Sequence, residues 1–214
     1  MNDGYKTVNE EFQNVTVIEK SKFICYLKGI ENEEQAKDFI LSIKKLNSLA
    51  NHNCYAYIAD EKGLVMKFSD DGEPQGTAGL PMLEVLKNKG LYKTVAVVTR
   101  YFGGIKLGTG GLTRAYGGAV SQCVELSKVL NMERGSYFEI VSDYENYSAL
   151  LRAISVPEIS VLNTDFGDKI TVSIAIKQEF IDKFLPKLSD IYKGKQEYSQ
   201  KQTEYFSFEN VCQK

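Results

Sequence analysis

One segment of the chain concentrates glycine between an apolar run and a helical pattern. It extends from Arg100 to Arg114 and includes Gly103, Gly104, Gly108, Gly110 and Gly111. Each glycine loses about 0.5–1 kcal/mol more backbone entropy on folding than alanine does, so such a run indicates positive φ or a close backbone approach. The sequence therefore predicts that something lies close to this backbone.

The residues on either side of the glycine run predict its structural setting. Residues 95–98 form a short, continuous apolar block, which is typical of a strand buried on both faces. After the run, apolar residues recur at spacings of three and four, which predicts a helix. They are Leu112, Ala115, Ala119, Cys123, Leu126 and Leu130, and we expect the small residues Gly117, Gly118 and Ala119 to let this helix lie tightly on a sheet.

A helix that starts after residues 108–111 leaves backbone amides unpaired at the positive end of its dipole, which stabilises an anion. Three cations frame this position: Arg100 at the strand end, Lys106 in the loop and Arg114 one turn into the helix. A guanidinium can bind a phosphate or carboxylate through two hydrogen bonds. The hypothesis is a binding site for an acidic or phosphate-bearing partner at Arg100, Tyr101, Gly103, Gly104, Lys106, Gly108, Gly110, Gly111 and Arg114.

A purely structural interpretation of the same run stays open. Glycines also allow a helix to pack against a strand, and Arg100 could pair inside the fold with Asp70, Asp71 or Glu73. The run lacks the Gly-Lys-Ser/Thr of a Walker loop, and no acidic residue follows at the distance that a dinucleotide fingerprint requires.

Residues 69–79 contain acids, glycines and Pro74 without hydrophobic periodicity, which predicts a long loop of the kind that binds partners. Asp70, Asp71 and Glu73 could bind a divalent cation or form a solvated turn. They could also pair with Arg100 or Lys106 and form one composite surface. We expect the supporting positions of this surface to be His52, Asp70, Asp71, Glu73 and Thr77.

The single histidine and the four cysteines give little sign of chemistry. His52 and Cys54 share a strand face, but alternation alone does not form a catalytic arrangement, and His52 fits a hydrogen-bonded structural residue or a surface role. Cys25, Cys54 and Cys123 occupy apolar patterns, and Cys212 stands apart. Without a Cys-x-x-Cys motif we expect buried thiols, no metal, no cofactor and no catalytic residue.

Charge and composition narrow the possible partners. The chain has 214 residues and a net charge of −2, and its halves, 1–134 and 135–214, carry +1 and −3. Neither half has the positive excess of a non-specific nucleic-acid binder, so contact with RNA must depend on a local patch. No apolar run could span a bilayer and no leader begins the chain, so we expect a cytoplasmic protein.

The element pattern predicts an α+β protein with two domains, 1–134 and 135–214, divided near residues 130–135. In the first domain we expect strands at 15–18 and 23–27, a helix capped by Asn32, a hairpin of 54–59 with 64–68, and a short helix around Pro81. In the second, strands at 136–142, 159–164, 170–176 and 203–209 alternate with helices that begin after Asp143 and at Phe180. This βαββαβ order is ferredoxin-like.

Together, residues 52–57, 70–79 and 100–108 resemble the IMPACT family, including its bacterial, YigZ-type members. The resemblance implies an N-terminal α/β sandwich like the second domain of a small-subunit ribosomal protein and domain IV of elongation factor G. It also implies a ferredoxin-like C-terminal domain similar to domain V of that factor. Eukaryotic members act in translational control by competing for an activator of a starvation-sensing kinase.

The resemblance therefore implies a non-enzymatic regulatory protein that contacts RNA, the ribosome or a translation-associated protein. The alternative is an enzyme that binds a nucleotide or a phosphorylated metabolite, because a kinase superfamily shares the N-terminal fold and holds phosphates in a glycine-rich loop. In that case Asp70 or Asp71 would have to act as the base. The sequence indicates no membrane contact and does not give the oligomeric state.

Overall fold

The computed structural model describes residues 4–208 and has the mixed α and β composition that the sequence predicts. The chain divides into two compact units, one formed by Tyr5–Leu130 and the other beginning at Asn131. Each unit contains curled antiparallel strands and packed helices. Within residues 4–208, no helix combines the length and the apolar character needed to cross a bilayer.

The first unit is built on a sheet with the strand order β2-β3-β6-β4-β5, in which every neighbouring pair is antiparallel. A short strand that the sequence did not predict, β1, precedes this sheet and bonds through Lys6 to Gly90 and Tyr92. The elements in chain order are β1 (Tyr5–Val8), β2 (Phe12–Ile18), β3 (Ser21–Gly29), α1 (Glu33–Leu46), β4 (His52–Ile58), β5 (Met66–Ser69), α2 (Gly79–Asn88), β6 (Thr94–Tyr101) and α3 (Gly108–Leu126).

Helices cover both faces of this sheet. Along β6, Val95 and Val97 belong to the apolar cluster that includes α1, whereas Ala96 and Val98 belong to the cluster that includes α2 and α3. The predicted burial of this strand on both faces is confirmed, because all four side chains are fully buried.

The predicted N-terminal cap of α1 is confirmed. The Asn32 side chain accepts a hydrogen bond from the Gln35 amide at 3.0 Å, and the Gln35 side chain accepts one from the Glu31 amide at 2.9 Å. Both amides would otherwise lack an intrahelical partner. The helix then buries four of the five residues of the predicted apolar stripe, Ala36, Phe39, Ile40 and Ile43, whereas the fifth, Leu46, is 70% exposed at the end of the helix.

Helix α3 differs from the prediction in its packing and its C-terminal end. It ends at Leu126 rather than Leu130. A Cβ on Gly117 would lie 3.8 Å from Pro81 and Val85, so this glycine lies against α2 rather than the sheet, and a Cβ on Gly118 would meet nothing within 4 Å. The expectation that both glycines seat α3 on the sheet is therefore wrong.

The second unit has the strand order β10-β7-β9-β8, again with antiparallel neighbours. Helices α4 and α5 contribute Leu150, Phe184 and Leu188 to its core, and the Asp143 side chain caps α4 by accepting from the Asn146 amide at 2.8 Å. The elements are β7 (Val129–Ser142), α4 (Tyr144–Ile154), β8 (Ile159–Phe166), β9 (Ile170–Lys177), α5 (Ile181–Tyr192) and β10 (Glu197–Ser207).

Strand β7 begins seven residues before the predicted strand start at Ser136. Met132, Glu133 and Arg134 already pair with β10, so the expected boundary segment 130–135 lies within one continuous strand. The charged residues Glu133 and Arg134 therefore belong to a paired strand and not to a linker. The final predicted residue of the closing strand, Glu209, and Cys212 lie outside the described residues.

Candidate functional site

The three segments that the sequence singled out meet at one end of the first unit's sheet. Strand β6 ends there at Tyr101, and its antiparallel neighbours β3 and β4 begin there at Ser21 and His52. We call this region the loop end. It comprises the turn at residues 19–20, the segments 47–51, 70–78 and 102–107, and the first turn of α3.

Arg100 lies inside the fold at the loop end and not on its surface. Phe23, Arg100 and His52 are direct partners across β3, β6 and β4. Because side chains alternate along a strand, Arg100 continues the row of Ala96 and Val98 toward α2 and α3. The residue is only 5% exposed, which corrects the expectation that Arg100 is one of three cations facing a partner.

Glu73 is the acid that pairs with Arg100. Its Oε1 lies 2.8 Å from Arg100 Nη1 and accepts a hydrogen bond from the Tyr116 hydroxyl at 2.7 Å. The Nε2 atom of His52 lies 3.9 Å from the same oxygen. Arg100 thus forms an ion pair within the fold, as the structural interpretation of the sequence allowed. Because the pair is buried, removing either partner would leave an uncompensated charge inside the protein.

The Arg100 guanidinium is also enclosed by aromatic rings. Its Cζ atom lies 5.4 Å from the ring centres of both Phe23 and Phe102, and its Nη2 lies 3.4 Å from the Ser21 hydroxyl. Its Nε atom is buried without a hydrogen-bond partner among the residues described. Arg100 is therefore not a surface cation; its buried guanidinium packs against the ring of the exposed residue Phe102.

The other two acids hold the 70–78 segment in place. The Asp70 carboxylate accepts hydrogen bonds from the amides of Gly76, Ala78 and Gly79 at 2.8–3.0 Å. The Asp71 carboxylate accepts from the Asn53 amide at 2.7 Å and pairs with Lys44 at 2.6 Å. Asp70 thus stabilises the turn in its own segment, and Asp71 connects that segment to β4 and α1.

Two further observations concern the acidic segment. The Thr77 hydroxyl is buried and donates to the Pro74 carbonyl at 2.6 Å, which closes the turn. Across residues 4–208, no group of three or more histidine, cysteine, aspartate or glutamate side chains is placed to hold a metal ion. The carboxylates at this site are directed to protein donors instead.

His52 and Cys54 each bond to the backbone of the same segment. His52 Nδ1 lies 2.9 Å from the Asp71 carbonyl, and the Cys54 thiol donates to the Asp70 carbonyl at 2.9 Å. Burial is the largest cause of a rise in the pKa of Cys54 to about 12, and the nearby Glu73 carboxylate adds to it. Because only the thiolate is strongly nucleophilic, Cys54 is a buried structural thiol.

Part of the glycine run is required by contacts inside the protein. A Cβ on Gly103 would lie 2.0 Å from the carbonyl carbon of Lys20, and the Gly103 amide donates to the Ser21 hydroxyl at 3.1 Å. Gly104 and Gly108 have φ of +88° and +68°, which L-residues rarely adopt. The backbone that approaches Gly103 is therefore the β2–β3 turn.

The remaining part of the run is accessible. Helix α3 begins at Gly108 without a side-chain cap, and a Cβ on Gly108 or Gly110 would meet nothing within 4 Å, whereas one on Gly111 would touch Leu107. Lys106 and Arg114 are exposed and make no ion pair with the described residues. Exposed amides and two free cations thus stand where the sequence predicted them.

The sequence reasoning did not assign two contributors to the loop end, Phe102 and Tyr116, and gave a third, Tyr101, a different role. Phe102 is 45% exposed, and its amide donates to the Asn51 side chain at 2.8 Å. Tyr116 has the spacing of an ordinary core residue, so no sequence signal marks its bond to Glu73. Tyr101, which was predicted to bind a partner, instead donates to the Asn47 side chain at 3.1 Å.

Comparison with known proteins identifies the family. The model of the Impact N-terminal domain matches residues 19–124. The IMPACT family member YvyE of Bacillus subtilis is 37% identical over 202 residues, covering 94% of this chain and 93% of the relative. The IMPACT family member YigZ of Escherichia coli is 35% identical over 185 residues, covering 84% of this chain and 91% of the relative.

More distant matches agree with this assignment. A homolog of protein IMPACT from Dictyostelium discoideum is 39% identical over 101 residues, covering 45% of this chain and 28% of the relative. A crystal structure described as that of a hypothetical protein has a TM-score of 0.60 and 31% identity, and the match covers 91% of this chain and 96% of that one. The chain belongs to the IMPACT family.

Proposed function

We propose that this chain is a non-enzymatic regulatory protein that binds a component of translation, in the cytoplasm, through the loop end of its first unit. RNA, the ribosome and a translation-associated protein are the partner classes that the family resemblance implies. The similarity to eukaryotic IMPACT proteins supports a regulatory role. The proposal rests on the family and on the geometry of one surface.

The observation that carries the proposal is the accessible start of α3. Its first-turn amides are uncapped, and Lys106 and Arg114 beside it are exposed without ion-pair partners in the described part of the chain. An uncapped helix start with free cations favours an anionic partner. Two of the three nearby acids are paired with cations, Glu73 with Arg100 and Asp71 with Lys44, which leaves Asp70, among the described residues, as the unpaired negative charge of the 70–78 segment.

The domain architecture is part of the same proposal. A sheet covered by α1 on one face and by α2 and α3 on the other supports the α/β sandwich of domain IV of elongation factor G. The order β10-β7-β9-β8 within a βαββαβ sequence supports a ferredoxin-like second domain. Folds shared with a translation factor suit a partner in translation, although fold alone does not define function.

Binding to ribosomes and to labelled RNA tests the proposal. We expect the Lys106→Ala, Arg114→Ala double variant to weaken binding by roughly tenfold or more at low salt, because two phosphate contacts are lost. The matched control is Lys62→Ala with Lys128→Ala, which removes the same charge where β4 and α3 end, away from the loop end. Absent binding, or equal losses in both double variants, would contradict the proposal.

The alternative function, an enzyme acting on a nucleotide or phosphorylated metabolite, needs a free base beside the loop. Asp70 and Asp71, the bases it would use, accept hydrogen bonds from the protein instead. A thermal-shift screen with nucleotides and phosphorylated metabolites, with and without magnesium, distinguishes the two functions. A ligand that raises the melting temperature would favour the enzyme.

A further inference from the structure

We infer that Phe102 is a stacking platform for a base of single-stranded RNA, with phosphates on either side of that base bound by Lys20, Lys22, Lys106 and Arg114. This inference rests on the proposed function and names the partner of the same surface. It depends on how Phe102 is held and on which charges surround it.

Phe102 is exposed yet fixed in position. The Asn51 side chain accepts a hydrogen bond from its amide at 2.8 Å, and the next residue, Gly103, lies against the Lys20 backbone and donates to Ser21. The residue remains 45% exposed. An apolar ring fixed in this way loses little conformational entropy when a planar ligand stacks on it.

The support beneath the ring comes from the buried ion pair. The Arg100 Cζ lies 5.4 Å from the centre of the Phe102 ring, and its Nη1 pairs with Glu73, whose Oε1 also accepts a hydrogen bond from the Tyr116 hydroxyl. A cation on one face of an aromatic ring is attracted to the ring quadrupole. The network therefore holds the ring from within and leaves its exposed part for a ligand.

The charges around Phe102 favour a polyanion. Lys20 and Lys106 are exposed in the loop end, and Lys22 and Arg114 are exposed next to it on β3 and α3; within residues 4–208 none of the four has an ion-pair partner. The acids of the 70–78 segment are all engaged by protein groups, which leaves Glu19 as the free acid of the β2–β3 turn. A local positive excess thus occurs on a chain whose net charge is −2.

The placement of these cations suits a single strand more than a duplex. Lys20 is brought beside Gly103 by the backbone contact, and Lys22 pairs with Tyr101 across β3 and β6. Lys106 and Arg114 follow Phe102 along the chain, in the loop and in α3. Proteins that bind single-stranded nucleic acid without sequence preference combine such cations with aromatic side chains on which bases stack. In a duplex the faces of the bases are already stacked on one another and are not accessible to such a side chain.

Fluorescence anisotropy with a labelled 12-nucleotide single-stranded RNA tests this inference. We expect Phe102→Leu, which keeps an apolar side chain, to weaken binding by about tenfold, because stacking on an aromatic ring is lost. Phe102→Tyr should bind like the wild type. The matched control is Phe68→Leu, since Phe68 is 41% exposed on β5. The duplex of the same sequence should bind more weakly.

Several outcomes would overturn the inference. They are wild-type affinity in Phe102→Leu, equal losses in Phe68→Leu and Phe102→Leu, binding of the duplex as tight as that of the single strand, and displacement of RNA by an acidic peptide of equal charge. If Lys106→Ala with Arg114→Ala abolishes ribosome binding while Phe102→Leu leaves RNA affinity unchanged, the proposed function stands and base stacking is excluded. Circular dichroism confirms that each variant is folded.

Discussion

Replacing Gly118 with alanine should stabilise the first unit. Gly118 lies inside α3, is exposed, and has neither a positive φ nor any atom within 4 Å of the position of an added Cβ. Its glycine therefore serves no internal contact, and alanine is the better helix former by about 0.8–1.0 kcal/mol. That gain corresponds to a rise in melting temperature of about 2–4 °C for a chain of this size.

Alanine in place of either of two loop glycines should instead destabilise the protein, for a different reason at each position. Gly104 has a φ of +88° but open space around it, so alanine there should destabilise by about 1–2 kcal/mol through backbone strain alone. At Gly103 an added Cβ would lie 2.0 Å from the Lys20 carbonyl carbon, and backbone must move to relieve that overlap. We expect a loss of about 3 kcal/mol or more for Gly103→Ala.

Urea unfolding of the full chain, followed by tyrosine fluorescence and circular dichroism, measures the series. The chain has 13 tyrosines and no tryptophan, so the tyrosine signal is not masked. The expected order of stability is Gly118→Ala, wild type, Gly104→Ala and Gly103→Ala. The reasoning is refuted if Gly118→Ala lowers the midpoint, or if Gly103→Ala and Gly104→Ala lose equal stability.

Three further predictions concern the buried groups and the α1 cap. Glu73→Gln should destabilise by about 3 kcal/mol because it leaves Arg100 buried without its counter-charge, whereas Glu125→Gln at an exposed pair should leave the urea midpoint nearly unchanged. Burial raises the pKa of Cys54 to about 12 from an ordinary value of 9.0, so the unfolded chain loses this proton at lower pH than the folded chain does. The free energy of unfolding should therefore fall as the pH rises from 9 toward 12. Cys54→Ala should make this fall less steep, and an equally steep fall in the variant would contradict the prediction. Asn32→Ala should lower stability by about 1 kcal/mol through loss of the α1 cap, and an unchanged midpoint would show that the cap contributes nothing.

The sequence predicted those elements whose local pattern and tertiary setting agree. The cap at Asn32, the apolar block at 95–98 and the alternation of Ile170, Val172, Ile174 and Ile176 each specify their structure with few neighbouring residues. Strand β1 was missed because its four residues bond to segments far along the chain. The start of β7 was missed because Glu133 and Arg134 carry charge where pairing with β10, more than sixty residues later, decides the structure.

At the loop end, the sequence identified the segments but not the direction of each side chain. The sequence left Arg100 open between a surface cation and an internal pair with Asp70, Asp71 or Glu73, and only the strand register shows that it falls on the core-facing row with Phe23 and His52. Likewise, the bond between Tyr116 and Glu73 joins residues 43 positions apart, and no local pattern records it. The acidic segment could be recognised as a turn, but the choice of Arg100 as the partner of Glu73 required the fold.

The Asp70 carboxylate, which accepts hydrogen bonds from the amides of Gly76, Ala78 and Gly79, preorganises one segment of the surface that we propose as a binding site. Because Asp70 already holds the backbone of this segment, binding should require no folding of the segment, and the entropy cost on the protein should come mainly from its exposed lysine and arginine side chains. Association should then proceed as a rigid encounter, with a rate governed by long-range attraction and weakened by added salt, and without a slow kinetic phase for loop rearrangement.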